Sequence, residues 1–353
     1  MIRLKLDELS DHISLAKVPI REALQRLNAA RYLFQLVVDG DGRLLGTLTD
    51  GDIRRGLLRG ASLETTVDDF MFTDCLIGRD GDLAANERLL LDNERHLAFL
   101  PVVDADGRLC EAIVRGRKGA GVFHALVMAG GFGKRLGART ADTPKPLIEV
   151  GGRPILDRVL QSLEAAGVDT IFVSVHYLSE KIERFLAERR NVANLKVVHE
   201  AEPLGTAGAI GLLPTLAAAP LLVINGDVVT HADLPALHEF HVRNGHDITI
   251  GVAQYELQVP YGVIRHDEHG KFEQIVEKPW ITEFVSAGVY YLSPEALALV
   301  PSGRPVDMPE ILNAARSIGM TIGLFPIHEY WVDVGRPADL EAADRRLGPA
   351  GSE

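Results

Sequence analysis

The run from Leu126 to Leu147, LVMAGGFGKRLGARTADTPKPL, constrains this chain more than any other stretch. Its opening residues, Ala125 to Met128, predict a buried parallel strand, because a strand covered on both faces reads as an unbroken apolar run. Glycines follow at Gly130, Gly131 and Gly133, then cations at Lys134 and Arg135, and Lys145 stands between Pro144 and Pro146. Residues without Cβ let successive backbone N–H groups close on an anion, and a nest of that kind at a strand end suits phosphate. The flanking prolines stiffen the chain around Lys145 and so aim its ammonium. Three cations around a glycine turn point to a triphosphate. Two common glycine loops are excluded. G-x-x-x-x-G-K-[ST] fails because Met128 stands five residues before Gly133 and Arg135 follows Lys134. G-x-G-x-x-G fails because Leu136 takes the place of the third glycine.

At 353 residues the chain is long enough for two domains with a full core in each. Its net charge of −12 argues against nucleic acid or an anionic membrane as partner. Residues 122–353 carry 20 basic and 29 acidic side chains, so a phosphate site there must be a local gathering of cations rather than a general field. The two cysteines, Cys75 and Cys110, show no metal spacing and need not pair, which fits a reducing cytoplasm. The opening MIRLKLDELSDHI has no apolar leader core, and no apolar run is long enough to span a bilayer. The expectation is a cytoplasmic protein without a membrane anchor.

The first third of the chain is a duplication. Val37-Val38-Asp39-Gly40-Asp41-Gly42-Arg43-Leu44 returns as Val102-Val103-Asp104-Ala105-Asp106-Gly107-Arg108-Leu109, an offset of 65 residues. Each copy reads as strand, Asp-Gly turn, strand. A helical stretch precedes each, Pro19 to Ala30 and Leu83 to Asn93. Neither copy is large enough to bury its sheet alone, so the two should pack as one unit. This arrangement resembles a tandem pair of CBS modules over residues 1–120. The resemblance implies an adenosine nucleotide as regulatory ligand, with Thr49 and Asp52 meeting its phosphate and ribose, and a homo-oligomer built on the pair. The second copy departs from that motif, placing Glu111, Val114 and Arg117 where the first has Gly46, Thr49 and Asp52. Thr49 or Asp50 also serves as N-cap for a helix running to about Arg59. Arg115 to Gly121 is basic and glycine-rich and reads as a linker.

From residue 121 to 347 the pattern alternates. A helical face at Ile155 to Ala166 leads to a strand at Thr170–Val175, a helix at Glu180–Arg189 and a strand at Leu195–His199. A helix at Ala207–Leu213 and a strand at Leu221–Ile224 follow. Alternation of this kind predicts an α/β domain with a doubly wound, mostly parallel sheet and its ligands at the carboxyl ends of the strands. Asp227 appears where an apolar strand ends, and Asp333 follows another apolar stretch, Trp331-Val332. Such carboxylates suit Mg²⁺, which takes one or two of them plus phosphates and water.

The glycine turn with P-K-P-L, the Asn-Gly-Asp at 225–227 and the W-V-D-V-G at 331–335 together resemble the sugar-1-phosphate nucleotidyltransferase family. That resemblance covers residues 124–347 and implies transfer of a nucleotidyl group from a nucleoside triphosphate to a sugar 1-phosphate. It implies Asp227 and Asp333 as the Mg²⁺ ligands and Arg135 and Lys145 as the phosphate-directed catalytic cations. Gly130, Gly131, Gly133 and Lys134 would line the nucleotide, although the family usually has Thr or Ser where this chain has Lys134. The loop Glu202-Pro203-Leu204-Gly205-Thr206 would hold the nucleobase, with Gly205 giving close backbone approach and Thr206 capping the helix after it. Where the family commonly has Gln, five residues before that glycine, this chain has Glu200. A carboxylate only accepts hydrogen bonds, and guanine offers two donors on one edge, so GTP is favoured. Gly262, Glu277, Lys278 and Gly288 fall at the family's sugar-phosphate positions, with Pro279 restricting Lys278. Uridylyl or thymidylyl transfer, and a nucleotide-sensing protein without turnover, remain open alternatives. The histidines give no ligand set: His238 and His241 with Glu239 predict a solvated helix face, and His176 and His199 end strands near the site. Residues 348–353 are expected to be a disordered tail.

Overall fold

Parallel strands cannot be joined by tight turns, so a strand–helix alternation folds back over its own sheet. The structure, a computed structural model, describes residues 1–30, 32–91, 99–115, 124–133, 139–140, 142–189, 194–214 and 219–348. The chain forms two compact units, Met1–Gly121 and Val122–Glu353. The sequence-read linker beyond Arg115 and the tail beyond Gly348 lie outside the described residues.

Among the described residues of the second unit seven strands form the central sheet. In spatial order they are Leu195–His199, Thr170–Val175, His124–Met128, Leu221–Asn225, Trp280–Leu292, Ile248–Gln258 and Ile322–Ile327. The pairings are parallel except the two made by Trp280–Leu292. The apolar runs explain the order. Thr170–Val175 is buried along its whole length, as are Leu221 to Ile224, so they take central places covered on both faces. The helix Ile155–Ala165 buries Ile155, Leu156, Val159, Leu160 and Leu163 against one face of the sheet. Each such side chain contributes about 1.5–3 kcal/mol when buried. The opposite face is covered by the helix Met308–Ser317 and the segment 207–210.

Residues 207–213 differ from expectation. They form a short 3₁₀ helix, Gly208–Leu212, rather than an α-helix. Gly208 and Gly211 each weaken a helix by about 1 kcal/mol relative to Ala, and Pro214 stops its continuation.

The first unit shows the duplication in space. The hairpin strands Phe34–Val38 and Leu44–Thr49 recur as Phe99–Val103 and Leu109–Val114, keeping the 65-residue offset. Each copy begins with a short parallel strand, Ile13–Leu15 and Gly78–Arg79. Equivalent residues meet between the copies. Phe34 stacks on Phe99 with ring centroids 4.0 Å apart. Leu44 N–H donates to Gly107 O and Leu109 N–H to Gly42 O, both at 3.0 Å. These contacts exchange under the offset, so the two copies are related by an approximate two-fold axis. One apolar cluster, including Leu36, Val38, Ala112 and Val114, is shared by both.

Candidate active site

Parallel pairing in register puts the carboxyl ends of neighbouring strands side by side. Asn225 lies opposite Met128, and Gly226 N–H donates to Met128 O at 2.9 Å. The glycine turn that follows Met128 and the acid at Asp227 therefore leave the sheet together. Asp333 arrives from far along the chain. Its strand, Trp331–Asp333, runs antiparallel to Val228–Thr230 with Val228 opposite Asp333. Val334 N–H donates to Asp227 O at 3.1 Å, and the Trp331 indole N–H donates to Ala287 O at 2.8 Å. Backbone pairing thus fixes the two carboxylates next to each other.

Between them sits Lys145, at the start of a short 3₁₀ turn, Lys145–Leu147, entered from Pro144. Its Nζ donates to Asp227 Oδ2 and lies 3.7 Å from Asp333 Oδ1. The Lys145 side chain is 13% exposed, against 28% for Asp227 and 49% for Asp333, so the cation is the deeper partner and the carboxylates face outward. A cation already bridging two hard oxygen donors is the test this site offers for a divalent ion, and the donor set fits Mg²⁺. Among the described residues no group of three or more His, Cys, Asp or Glu gathers as a metal cluster, and Mg²⁺ needs none when phosphates and water complete its shell. Gly133 closes against Lys145, and Thr140 Oγ1 donates to Gly133 O at 3.1 Å. Gly131 faces open space. Lys134 and Arg135 lie outside the described residues.

Glu200 is buried at 7% exposure behind the turn. Its Oε2 accepts from Leu204 N–H at 3.0 Å, and Oε1 lies where a Cβ on Gly130 would come within 2.7 Å of it. Gly130 is therefore required by a close approach to the carboxylate. His176 Nδ1 is 2.9 Å from Glu200 O. A carbonyl only accepts, so Nδ1 carries the proton in that bond. Sequence reading left His176 without a role. The structure gives it the backbone of Glu200.

The loop at residues 202–206 is held differently from expectation. Gly205 adopts φ +76°, a left-handed conformation open to glycine. Thr206 does not cap the short helix after it. Its N–H and hydroxyl both donate to Asp307 Oδ1, at 2.8 and 3.0 Å, and its Oγ1 accepts from Met308 N–H at 2.9 Å. Asp307, which sequence reading missed, also opens the helix Met308–Ser317 in a capping box with Glu310.

The sugar-phosphate candidates divide. Gly288 returns to the sheet against the side chains of Asn225 and Val228, which flank Asp227 in the chain. Gly262, Glu277 and Lys278 sit on a two-stranded ribbon continuing Ile248–Gln258 and Trp280–Leu292 through Val263–His266 and Phe272–Val276. Glu277 lies across that ribbon from Gly262, and Lys278 N–H donates to Tyr261 O at 3.3 Å. Lys278 has φ +45°, so its backbone is left-handed rather than the extended form Pro279 favours. That conformation costs of the order of 1–3 kcal/mol and is retained where surrounding structure imposes it.

Two further candidates stand in the first unit. Thr49 and Asp52 satisfy each other: Asp52 Oδ2 accepts from Thr49 N–H and Oγ1 at 2.8 and 2.6 Å, capping the helix Asp50–Leu58. In the second copy Glu111, which stands at the position of Gly46, is buried and pairs with Arg3 at 2.7 Å. The solvated face expected for His238 and His241 is overturned. His241 is 5% exposed with Nδ1 3.0 Å from Thr249 Oγ1, and His238 meets the Tyr291 hydroxyl. Positions 234, 238 and 241 repeat at i, i+4 and i+7, so both rings share the apolar face of Leu234. Among the described residues no helix is long and apolar enough to cross a membrane.

A model of the nucleotidyl transferase family matches residues 124–348, and a CBS domain model matches residues 16–59. The chain is 32% identical over 223 residues to mannose-1-phosphate guanylyltransferase catalytic subunit beta of Drosophila melanogaster, covering 61% of this chain and 60% of that one. It is 34% identical over 225 residues to mannose-1-phosphate guanyltransferase of Emericella nidulans, covering 61% of this chain and 62% of that one. The chain thus spans about 60% of the length of the curated relatives it matches. Among solved structures it is similar to HddC from Yersinia pseudotuberculosis, at TM-score 0.51 and 27% identity over 64% of this chain and 100% of that one. The same protein complexed with GMP-PN matches with the same figures.

Proposed function

This chain belongs to the nucleotidyl transferase family, and on that footing we propose that it joins a sugar 1-phosphate to a nucleoside triphosphate, preferring GTP, with release of pyrophosphate. The observation that carries the reading is the meeting of Asp227, Asp333 and Lys145 beside the glycine turn. An oxygen of the sugar phosphate bonds to the α-phosphorus while the bond from that phosphorus to the pyrophosphate oxygen breaks. No enzyme-bound intermediate is needed, so catalysis is positioning plus electrostatics.

Asp227 and Asp333 would hold Mg²⁺, which when bound neutralises charge between the two anionic substrates. Lys145 exchanges its carboxylate partners for the α-phosphoryl group. Backbone N–H groups at Gly130, Gly131 and Gly133, with Lys134, hold the triphosphate, and Arg135 holds the leaving pyrophosphate. Lys278 takes the attacking phosphate, with Gly262, Glu277 and Gly288 around the sugar. Glu200, with Gly205 and Thr206 in its loop, favours guanine because a carboxylate accepts from N1–H and the exocyclic amine together. Relatives named as guanylyltransferases and a neighbour crystallised with GMP-PN support that base. The relatives' names make mannose 1-phosphate the first acceptor to try. A regulatory adenosine nucleotide at Thr49 and Asp52, and a homo-oligomer built on the CBS pair, complete the proposal.

The test is pyrophosphate release with Mg²⁺, each of GTP, UTP, dTTP and ATP, and a panel of mannose, glucosamine and heptose 1-phosphates. Release with GTP and one sugar is expected. Release only with UTP or dTTP would move the assignment to the corresponding uridylyl or thymidylyl transfer. No release with any pair overturns it.

A further inference from the structure

We propose that Asp307 is a positioning residue for the base, fixing the loop that orients Glu200; this deepens the guanine reading above and rests on it. The bonds form an unbroken path. Asp307 Oδ1 accepts from Thr206 N–H at 2.8 Å and from the Thr206 hydroxyl at 3.0 Å. The same hydroxyl oxygen accepts from Met308 N–H at 2.9 Å. Two backbone bonds clamp the loop to the same segment: Ala207 N–H to Val306 O at 3.0 Å, and Val306 N–H to Leu204 O at 2.9 Å. Leu204 in turn donates its N–H to Glu200 Oε2 at 3.0 Å. The buried carboxylate is therefore aimed by a residue whose own place is set by residues 306–308.

The loop needs such a clamp. Ala201, Glu202, Pro203, Gly205 and Thr206 are exposed, and Leu204 is its one buried side chain. Gly205 leaves the backbone permissive. A loop anchored by a single apolar residue does not hold a carboxylate to the sub-ångström tolerance that selection between bases requires. Gly205 shows how closely the segments are matched, since a Cβ there would lie 2.7 Å from both Asp307 Oδ1 and Val306 O. Hydrogen bonds to an ionised acceptor are the stronger kind, and Asp307 supplies two of them to one residue.

Asp307 also caps the helix Met308–Ser317, so its loss has a structural component that must be separated. Glu310 provides the control. Its carboxylate accepts from Asp307 N–H at 3.2 Å to complete the capping box, and Thr206 bonds only to the other side of that box. Glu310→Ala should lower the melting temperature and leave base selectivity unchanged.

The experiment measures kcat and KM for GTP and ITP with the full chain, Mg²⁺ and the best sugar 1-phosphate. ITP lacks the exocyclic amine that Glu200 would accept from. Asp307→Ala is expected to raise KM for GTP about ten-fold with kcat little changed, and to lower the GTP-to-ITP ratio of kcat/KM by a similar factor. Asp307→Asn keeps an oxygen acceptor and should recover part of both. Should Asp307→Ala fail to fold, Thr206→Val removes the hydroxyl bonds from the other side with the same expected direction. Unchanged KM and ratio in a folded Asp307→Ala, or an equal change in Glu310→Ala, would overturn the positioning role. Glu200→Gln in the same assay separates the two readings. If it leaves the ratio unmoved, the guanine reading falls while the KM effect still decides the role of Asp307.

Discussion

Lys145 holds two carboxylates that the proposed chemistry needs for a metal, so one side chain has two sets of partners to choose between. Replacing it by Ala should lower turnover on the order of 10²–10³-fold, as for other preorganised charge stabilisers, measured by pyrophosphate release. The same loss takes a competing cation away from Asp227 and Asp333. Lys145→Met should therefore bind Mn²⁺ more tightly than the parent chain in the absence of nucleotide, read as loss of the free-ion signal in electron paramagnetic resonance. Unaltered Mn²⁺ binding would show that Lys145 does not compete for those oxygens. Asp227→Ala should abolish most activity, and full activity with Mg²⁺ would remove the assignment. Lys145, Asp227 and Asp333 are legible in the sequence because each marks a sharp change from apolar or proline-fixed chain to a charge. Asp307 is not. In Asp307-Met308-Pro309-Glu310 it reads as an ordinary capping box, and its second task lies across a separation of 101 residues.

The helix Leu234–Asn244 shows what periodicity carries when charge is not allowed to overrule it. His238 and His241 fall on the face of Leu234 and Leu237, and the sheet beneath offers them hydroxyls from Tyr291 and Thr249. Burial pushes His241 down from 6.5 to about 4, with His246 and His238 adding to the effect and Asp247 opposing it. The folded value lies below the ordinary one, so the ring stays neutral in the folded protein while the unfolded chain takes up a proton. The stability it contributes is complete above about pH 6.5 and is lost progressively as pH falls towards 4, by about 3 kcal/mol at most. His238 and His246 are pushed down by burial as well and act in the same direction. Thermal unfolding between pH 7 and 4.5 should show a steep fall in melting temperature, and His241→Gln should flatten that fall. An equal slope in the variant would place the acid sensitivity elsewhere. The neighbouring contrast is Gly208–Leu212, where apolar spacing predicted an α-helix but two glycines and Pro214 limited it to a 3₁₀ turn.

The two units differ in how much of their design is written locally. In the first, the 65-residue repeat announces a symmetric pair, and the stack of Phe34 on Phe99 is where the copies close on each other. Phe99→Ala should cost about 3–5 kcal/mol, seen in calorimetry as a lower-melting transition of the first unit. A melting profile identical to the parent would mean that the shared core does not hold the copies together. In the second unit, apolar runs, glycine turns and alternation were enough to give the mostly parallel sheet and the end of it where the candidate residues gather, because burial and backbone geometry are set by neighbours a few residues away. The approach of Asp333 to Asp227, the burial of Glu200 against Gly130 and the clamp of Asp307 on Thr206 were decided only in the folded chain. Each joins segments whose meeting depends on strand register and helix placement. Those are settled by packing the core as a whole, and no local stretch of sequence contains them.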